Sequence, residues 1–325
     1  MPDKAQAPSD IGAVVIGRNE GARLVTCLTS LARQLDHIVY VDSGSTDNSV
    51  AAAQDIGAEV IVLDTDRAFT AARARNAGVA HLQATWPDLE LVQFVDGDCE
   101  MRDGWIATAR QFLDAHASVV AVCGRVRERH PDATVYNRLA DAEWDAPSGE
   151  TRACGGIAMM RIAAFQAAGG FNPGLIAGEE PELCVRMRMS GGQIWRLEAE
   201  MVWHDIAMTR FSQWWRRRRR AGYAFANGVV LHGRPPERHY VPQLRRSLSW
   251  GLALPLLVFA GLLLTPWALL LALAWPAQVL RLRLRGMSWS EAFFTPLGTV
   301  PETTGALTYL AHRVLQRDST LIEYK

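Results

Sequence analysis

After residue 10, short apolar runs alternate with helix-length segments. AVVIG (13–17), HIVYVD (37–42), AEVIVLD (58–64) and LELVQFVD (89–96) read as strands, being rich in Val, Ile and Leu and bounded by turn residues. The stretches 20–34, 46–56 and 69–84 between them read as helices. This alternation predicts βαβ units and a mostly parallel sheet flanked by helices. Past residue 100 the pattern loosens. VVAVCG (119–124), GGIAMM (155–160) and QIWRLEAEMVWHD (193–205) read as further strands, and 179–189 as a helix.

Polar residues concentrate where these strands end: Gly17-Arg18-Asn19-Glu20, Asp42-Ser43-Gly44-Ser45-Thr46-Asp47, Asp64-Thr65-Asp66-Arg67 and Asp96-Gly97-Asp98. In an open α/β sheet, ligands bind at the carboxyl ends of the strands, so one sheet edge gathers the candidate chemistry. Asp96-Gly97-Asp98 offers two carboxylates about a glycine, and hard cations such as Mg²⁺ or Mn²⁺ take oxygen ligands that bridge to phosphate. A solvated turn has the same composition. Neither G-x-G-x-x-G nor a P-loop follows the first strand, so a cation on Asp98, with Arg73 or Arg75 nearby, must handle any phosphate charge.

The second half of the chain changes character. Residues 210–246 carry ten arginines against one acid, Glu237, and the next 34 residues, 247–280, carry no charge. A basic collar beside an apolar stretch predicts a membrane-associated region. Trp214, Trp215, Tyr223 and Phe225 suit the headgroup zone. Pro255, Pro266 and Pro276 interrupt the run and arginines flank both ends, which favours a helical hairpin bending near Thr265-Pro266 over a single span. Residues 287–325 read as amphipathic helices.

Composition narrows the classes further. With 49% hydrophobic and 21% charged residues, and 34 basic against 34 acidic, disorder and collagen are excluded. Five scattered cysteines without C-x-x-C spacing exclude a disulfide scaffold and argue for a reducing compartment. Lysine occurs only at Lys4 and Lys325, which removes P-loop and Schiff-base lysines. No cleavable signal opens the chain, so the bulk is expected in the cytosol. Zero net charge gives no support to nucleic-acid binding.

The ordered motifs I-G-R-N-E, V-D-S-G-S-T-D-N-S, A-R-A-R-N-A-G, F-V-D-G-D-C, G-G-F-N-P and G-E-E-P-E-L-C-V-R-M, over about residues 11–230, resemble family 2 glycosyltransferases of the GT-A fold. The resemblance implies an α/β, Rossmann-like catalytic domain over 11–232, which leaves an N-terminal tail at 1–10 and, from the composition, a C-terminal membrane-associated helical region over 233–325. It implies a UDP- or GDP-sugar donor, Mg²⁺ or Mn²⁺, and inversion at the anomeric carbon. By position, Arg18, Asn19, Glu20 and Asp42 would line the nucleoside pocket, with Arg75 approaching it from a helix. Asp96 would face ribose or metal, and Asp98 and His204 would ligate the metal. Glu180 would be the catalytic base, with Glu179 in reserve. The acceptor would be a lipid-linked or growing glycan at the cytosolic face of an inner membrane.

Departures from the pattern are Asp42-Ser43 in place of Asp-Asp, Glu179-Glu180 in place of Glu-Asp, and Gln213-Trp214-Trp215-Arg216-Arg217, where arginine stands in place of the tryptophan of Q-x-x-R-W. The last speaks against a chain polymerase. Turn and helix-cap roles are the simpler alternatives for Asp42 and Asp47, the cap being favoured for Asp47, and a helix start is the alternative for Asn19 and Glu20. Two rival functions share these residues: a sugar-phosphate nucleotidyltransferase, for which the phosphate-handling lysine is missing, and a membrane-tethered, non-catalytic nucleotide- or glycan-binding scaffold.

Overall fold

The parallel half of the sheet is built from β1 (Ile11–Gly17), β2 (His37–Asp42), β3 (Glu59–Val62) and β4 (Leu91–Asp96), in the order β3-β2-β1-β4. Helices α1 (Ala22–Ala32), α2 (Ser49–Ile56) and α3 (Ala71–Thr85) make the crossovers. Helices cover both faces of such a sheet, so its strands are apolar throughout rather than alternating. Val14, Val39, Val92 and Phe94 are fully buried. α3 lies so close to β1 that a Cβ on Gly78 would come 2.4 Å from Val14 Cγ1, which is why a glycine stands in mid-helix. The register pairs Gly17 with Asp42 and Ile16 with Asp96, so the strand ends finish level.

This computed structural model describes residues 9–64, 66 and 69–316. Residues 1–8 of the expected tail, Lys4 included, Thr65 and Arg67 of the third strand end, and 317–325 of the amphipathic region lie outside the described residues.

Beyond β4 come β5 (Cys99–Met101), α4 (Trp105–Ala115), β6 (Val119–Glu128), α5 (Val135–Glu143), β7 (Gly149–Glu150), β8 (Ala158–Arg161), α6 (Ile162–Ala167), α7 (Glu179–Met189) and β9 (Gln193–His204). The sheet continues β4-β8-β6-β9-β5, with β7 on β9. The expectation of a mostly parallel sheet needs correction. β4·β8, β6·β8, β5·β9 and β7·β9 pair antiparallel, against parallel β1·β2, β1·β4, β2·β3 and β6·β9. An apolar run such as Ala158–Arg161 fixes burial but carries no strand direction, so composition could not show the reversal.

The chain forms two compact units: residues up to Pro131, Ala140–Leu175 and Glu179–Ala207 in the first; Asp132–Leu139, Ile176–Gly178 and residues from Met208 in the second. The first holds the sheet. The second holds α8 (Phe211–His232), α9 (Val241–Leu248), a π-helical turn at Ser249–Ala253, α10 (Leu254–Leu262), a 3₁₀ stretch Pro266–Leu273, α11 (Ala274–Leu284) and α12 (Trp289–Val314). α8 and α12 touch backbone to backbone, and a Cβ on Gly222 would fall 1.9 Å from Glu302 O. The buried Glu302 carboxylate accepts from Arg218, Arg246 and Ser247. The chain reverses at Thr265, whose hydroxyl caps the 3₁₀ stretch. Leu256, Leu257, Phe259, Leu263, Leu264 and Trp267 are exposed around this reversal. Among the described residues one helical stretch, Pro266–Leu284, is long and apolar enough by length and composition to cross a membrane.

Candidate active site

Asp96 ends β4 and Asp98 precedes β5, with Gly97 turning the chain between them. The Gly97 N–H donates to Ile16 O at 2.8 Å, and a Cβ there would meet Ile16 O at 3.2 Å and Glu20 Cγ at 3.3 Å, so a side chain would be crowded. β5 pairs antiparallel with the end of β9, Cys99 opposite His204. That register sets Asp98 Oδ1 3.2 Å from His204 Nε2, with both residues buried. The histidine is held from several sides. Arg129 N–H donates to its carbonyl at 2.8 Å, and the Trp144 ring stands edge to face at 4.7 Å. Glu128 accepts from the N–H groups of His130 and Ile206, both at 3.1 Å, and burial raises its pKa. Asp98, Cys99 and His204 have donor atoms within 4.8 Å of one another. A carboxylate oxygen and an imidazole nitrogen at this separation fit a divalent cation of the Mn²⁺ or Mg²⁺ kind.

Next to this pair, α3 delivers Arg75, which is 3% exposed. Its Nη2 donates to Asp96 Oδ1 at 2.9 Å and its Nη1 to Glu179 Oε1 at 2.8 Å. Burial opposes the guanidinium charge, but Asp96 and Glu179 outweigh it and raise the pKa. Gly156 admits the approach, since a Cβ there would sit 2.6 Å from Arg75 Nη2. Expected at the nucleoside, Arg75 has both these arms on acids.

Glu179 and Glu180 open α7 and face different partners. Glu180 is 4% exposed, and its Oε1 accepts the Cys154 N–H at 2.7 Å, Cys154 Sγ at 3.1 Å and Cys184 Sγ at 3.0 Å. Among the described residues no hydrogen bond reaches Oε2 of Glu180.

The expected nucleoside residues lie on the β1 and β2 ends and shape one loop. Asp42 is buried, its Oδ2 accepting from the N–H groups of Gly44 at 3.0 Å and Ser45 at 2.8 Å, and its Oδ1 from the Tyr40 hydroxyl at 2.8 Å. Burial leads the rise in the Tyr40 pKa. Asn19, with φ of 55°, accepts the Thr46 N–H at 2.7 Å, and its own N–H donates to Ser45 Oγ at 2.9 Å. Asp47 accepts the Ser49 N–H at 3.0 Å at the start of α2, as a cap residue does. Glu20 pairs with Arg23 at 2.6 Å, and Arg18 lies over the Phe69 ring, 5.8 Å from its centroid. Asp42 and Asn19 therefore fix the loop's shape.

The structure thus brings together Asp98 with His204, Asp96 with Arg75 and Glu179, and Asn19 with Asp42 around one loop, while Glu20 pairs with Arg23 and Arg18 lies over Phe69. Cys99, Glu128, Trp144, Cys154 and Cys184 escaped the sequence reading. Only Cys184 had a local signal, lying four residues after Glu180 on one helical face.

An α/β sheet with a D-x-D turn, a facing histidine and an acidic helix start at its edge is a GT-A-like domain. Residues 13–167 match the family model described as glycosyl transferase family 2. It is similar to the pre-mycofactocin glycosyltransferase of Mycobacterium tuberculosis, 27% identical over 246 residues, which cover 71% of this chain and 50% of that protein. The chain thus spans about half the length of that relative. An uncharacterized glycosyltransferase of Rickettsia felis is 44% identical over 52 residues, 16% of this chain and 18% of that protein. Among solved structures, the mannosyltransferase PcManGT of Pyrobaculum calidifontis, in complex with GDP-Man and Mn²⁺, matches at TM-score 0.57 and 21% identity, over 95% of this chain and 89% of that one. That likeness extends the shared fold across most of the chain.

Proposed function

We propose that this protein is a metal-dependent, inverting glycosyltransferase that moves a sugar from a nucleotide-sugar donor to a lipid-linked or growing glycan acceptor at the cytosolic face of a membrane. The observation that carries the reading is the pairing of Asp98 and His204 at 3.2 Å on the carboxyl edge of the sheet, far apart in sequence and joined by the β5·β9 register.

Asp98 and His204 would hold the cation, which when bound would supply positive charge for the departing diphosphate. The loop shaped by Asp42 and Asn19, with Arg18, receives the nucleoside. Asp96, turned by Arg75, lies beside the cation site and faces the donor. Glu180 is the base: its Oε2 takes the acceptor hydroxyl proton as that oxygen attacks the sugar carbon opposite the leaving group, which inverts it. Glu179 is less suited, because its Oε1 already accepts from Arg75 Nη1 at 2.8 Å. The exposed apolar reversal around Thr265 and the flanking arginines support membrane seating.

A thermal-shift screen of UDP- and GDP-sugars with and without Mn²⁺ tests the reading, since a bound donor stabilises by mass action. Stabilisation by one donor that needs Mn²⁺ and disappears in Asp98→Ala is expected. Glu180→Gln is expected to lose transfer, by about 10² or more, with donor affinity unchanged. No response to any donor would favour the scaffold reading, and loss of donor binding in Glu180→Gln would make that residue part of the pocket.

A further inference from the structure

We propose that Cys154 and Cys184 are positioning residues, which clamp Oε1 of Glu180 so that Oε2 alone is presented as the proton acceptor. This rests on the assignment of Glu180 as base.

Three donors converge on that one oxygen, from two parts of the chain. Cys154 supplies its backbone N–H at 2.7 Å and its thiol at 3.1 Å from the segment leading into β8. Cys184 supplies its thiol at 3.0 Å from one turn further along α7. The two sulfurs lie 3.5 Å apart, and both residues are buried. A carboxylate hinged only at its own side chain rotates about its last torsion with little preference. Anchored through one oxygen to a backbone amide and two thiols, it has one orientation. The second oxygen, with no hydrogen bond among the described residues, keeps its lone pairs for the incoming hydroxyl.

Thiols serve this purpose in a way few other side chains can. Each is compact and apolar enough for a dry pocket, and each carries one weak donor. They donate only while protonated. The hydrogen bond with Cys184 and burial raise the Cys154 pKa well above the ordinary thiol value. For Cys184, the bond from Cys154 pulls the pKa down, but burial and Glu180 prevail and it too is raised. Nearby Cys123 is pushed by burial up to about 12. At neutral pH the pocket therefore keeps its S–H groups.

The arrangement predicts different effects from removing the donor and from exchanging it. Alanine at both positions deletes the two thiol donors, whereas serine at both keeps an O–H in place of each S–H. Transfer kinetics on the full chain, with donor and acceptor varied separately, are the readout. The double alanine variant is expected to lose about tenfold to a hundredfold in kcat, the range typical of supporting contacts, with donor affinity within about twofold of wild type. The double serine variant is expected to recover most of that loss. Melting temperatures check folding in each case.

Equal loss of kcat in the alanine and serine variants, tracking lowered melting temperature, would overturn the proposal in favour of packing alone. Wild-type kcat in the double alanine variant would also overturn it. So would stoichiometric zinc in the purified protein that disappears with the serines, because the thiols would then be metal ligands. The base assignment is tested apart from this. An active Glu180→Gln variant removes that assignment itself, while an inactive Glu180→Gln beside an unaffected double alanine variant removes only the positioning role.

Discussion

Replacing Arg75 with methionine removes the guanidinium that joins Asp96 and Glu179 while keeping an apolar stem against Phe171, whose ring centroid lies 5.5 Å from the guanidinium carbon. Breaking a buried ion pair by removing one partner costs about 3–5 kcal/mol, because the other charge stays buried and unpaired. The two acids here differ. Glu179, 12% exposed, loses a close ion pair in a largely dry site and feels part of that cost, whereas Asp96, at 34%, is rehydrated and contributes little. The expected loss is about 2–4 kcal/mol, or a fall in Tm of roughly 5–15 °C. Urea denaturation followed by tryptophan fluorescence measures it. The origin of the loss is checked by the double variant Arg75→Met/Glu179→Gln, in which the Glu179 charge is gone as well. It is expected to be more stable than the sum of the single effects by about 1 kcal/mol or more. A loss below about 1 kcal/mol, or strictly additive variants, would refute the reasoning.

Gly78→Ala places a methyl 2.4 Å from Val14 Cγ1, so despite the better helix propensity of alanine it is expected to destabilise by about 1–3 kcal/mol in chemical denaturation. The thiols of Cys27, Cys123, Cys154 and Cys184 all have raised pKa values in the folded chain. Their contribution to stability is fully present below the unfolded thiol value of 9.0 and is lost as pH climbs towards the folded values, about 12 for Cys123. Urea midpoints are therefore expected to be flat in this respect up to about pH 8.5 and to fall beyond it, with native thiols silent to a disulfide reagent at pH 8; rapid labelling of the folded protein contradicts this. Leu263→Glu with Leu264→Glu alters side chains 76% and 88% exposed at the reversal. Their removal is expected to abolish flotation with anionic vesicles while leaving Tm unchanged, and undiminished flotation would place the membrane contact elsewhere.

What could be read from the sequence, and what could not, follows from how far each interaction reaches along the chain. The strands β1, β2 and β4 announce themselves through continuous Val, Ile and Leu runs, and α7 was bounded at 179–189 as found. The loop at the end of β2 was also legible, because an aspartate followed by Gly44 and Ser45 is a local Asx pattern, and its hydrogen bonds span two and three residues. Longer reaches left no trace. Arg75 meets Asp96 and Glu179 at separations of 21 and 104 residues, and Cys154 meets Glu180 at 26. The residues alone put the histidine at a strand end, and only the resemblance joined it to Asp98, since the β5·β9 register depends on a strand of three residues, Cys99–Met101. The register shifts between β6 and β9, which carry bulges near Cys123 and Arg125, were equally invisible.

The four acids at the sheet edge have the same chemistry and different neighbours, and the proposed division of labour follows from those neighbours. Asp98 meets an imidazole across a strand pair, which leaves a dipolar, cation-seeking pair. Asp96 and Glu179 share one guanidinium, which fixes their spacing. Glu180 meets no cation among its hydrogen-bond partners and is held instead by an amide and two thiols, so nothing with a full positive charge competes for the proton it is proposed to accept. Titratable groups whose surroundings separate their roles mark acid and base assignments in an active site. Exchanging the surroundings should therefore exchange the roles: in Cys184→Arg, a guanidinium aimed at Glu180 would make that carboxylate resemble Glu179, and transfer is expected to fail even where the fold and donor binding survive. Retained transfer in a folded Cys184→Arg variant would mean that the neighbours of Glu180 do not decide its part in the chemistry.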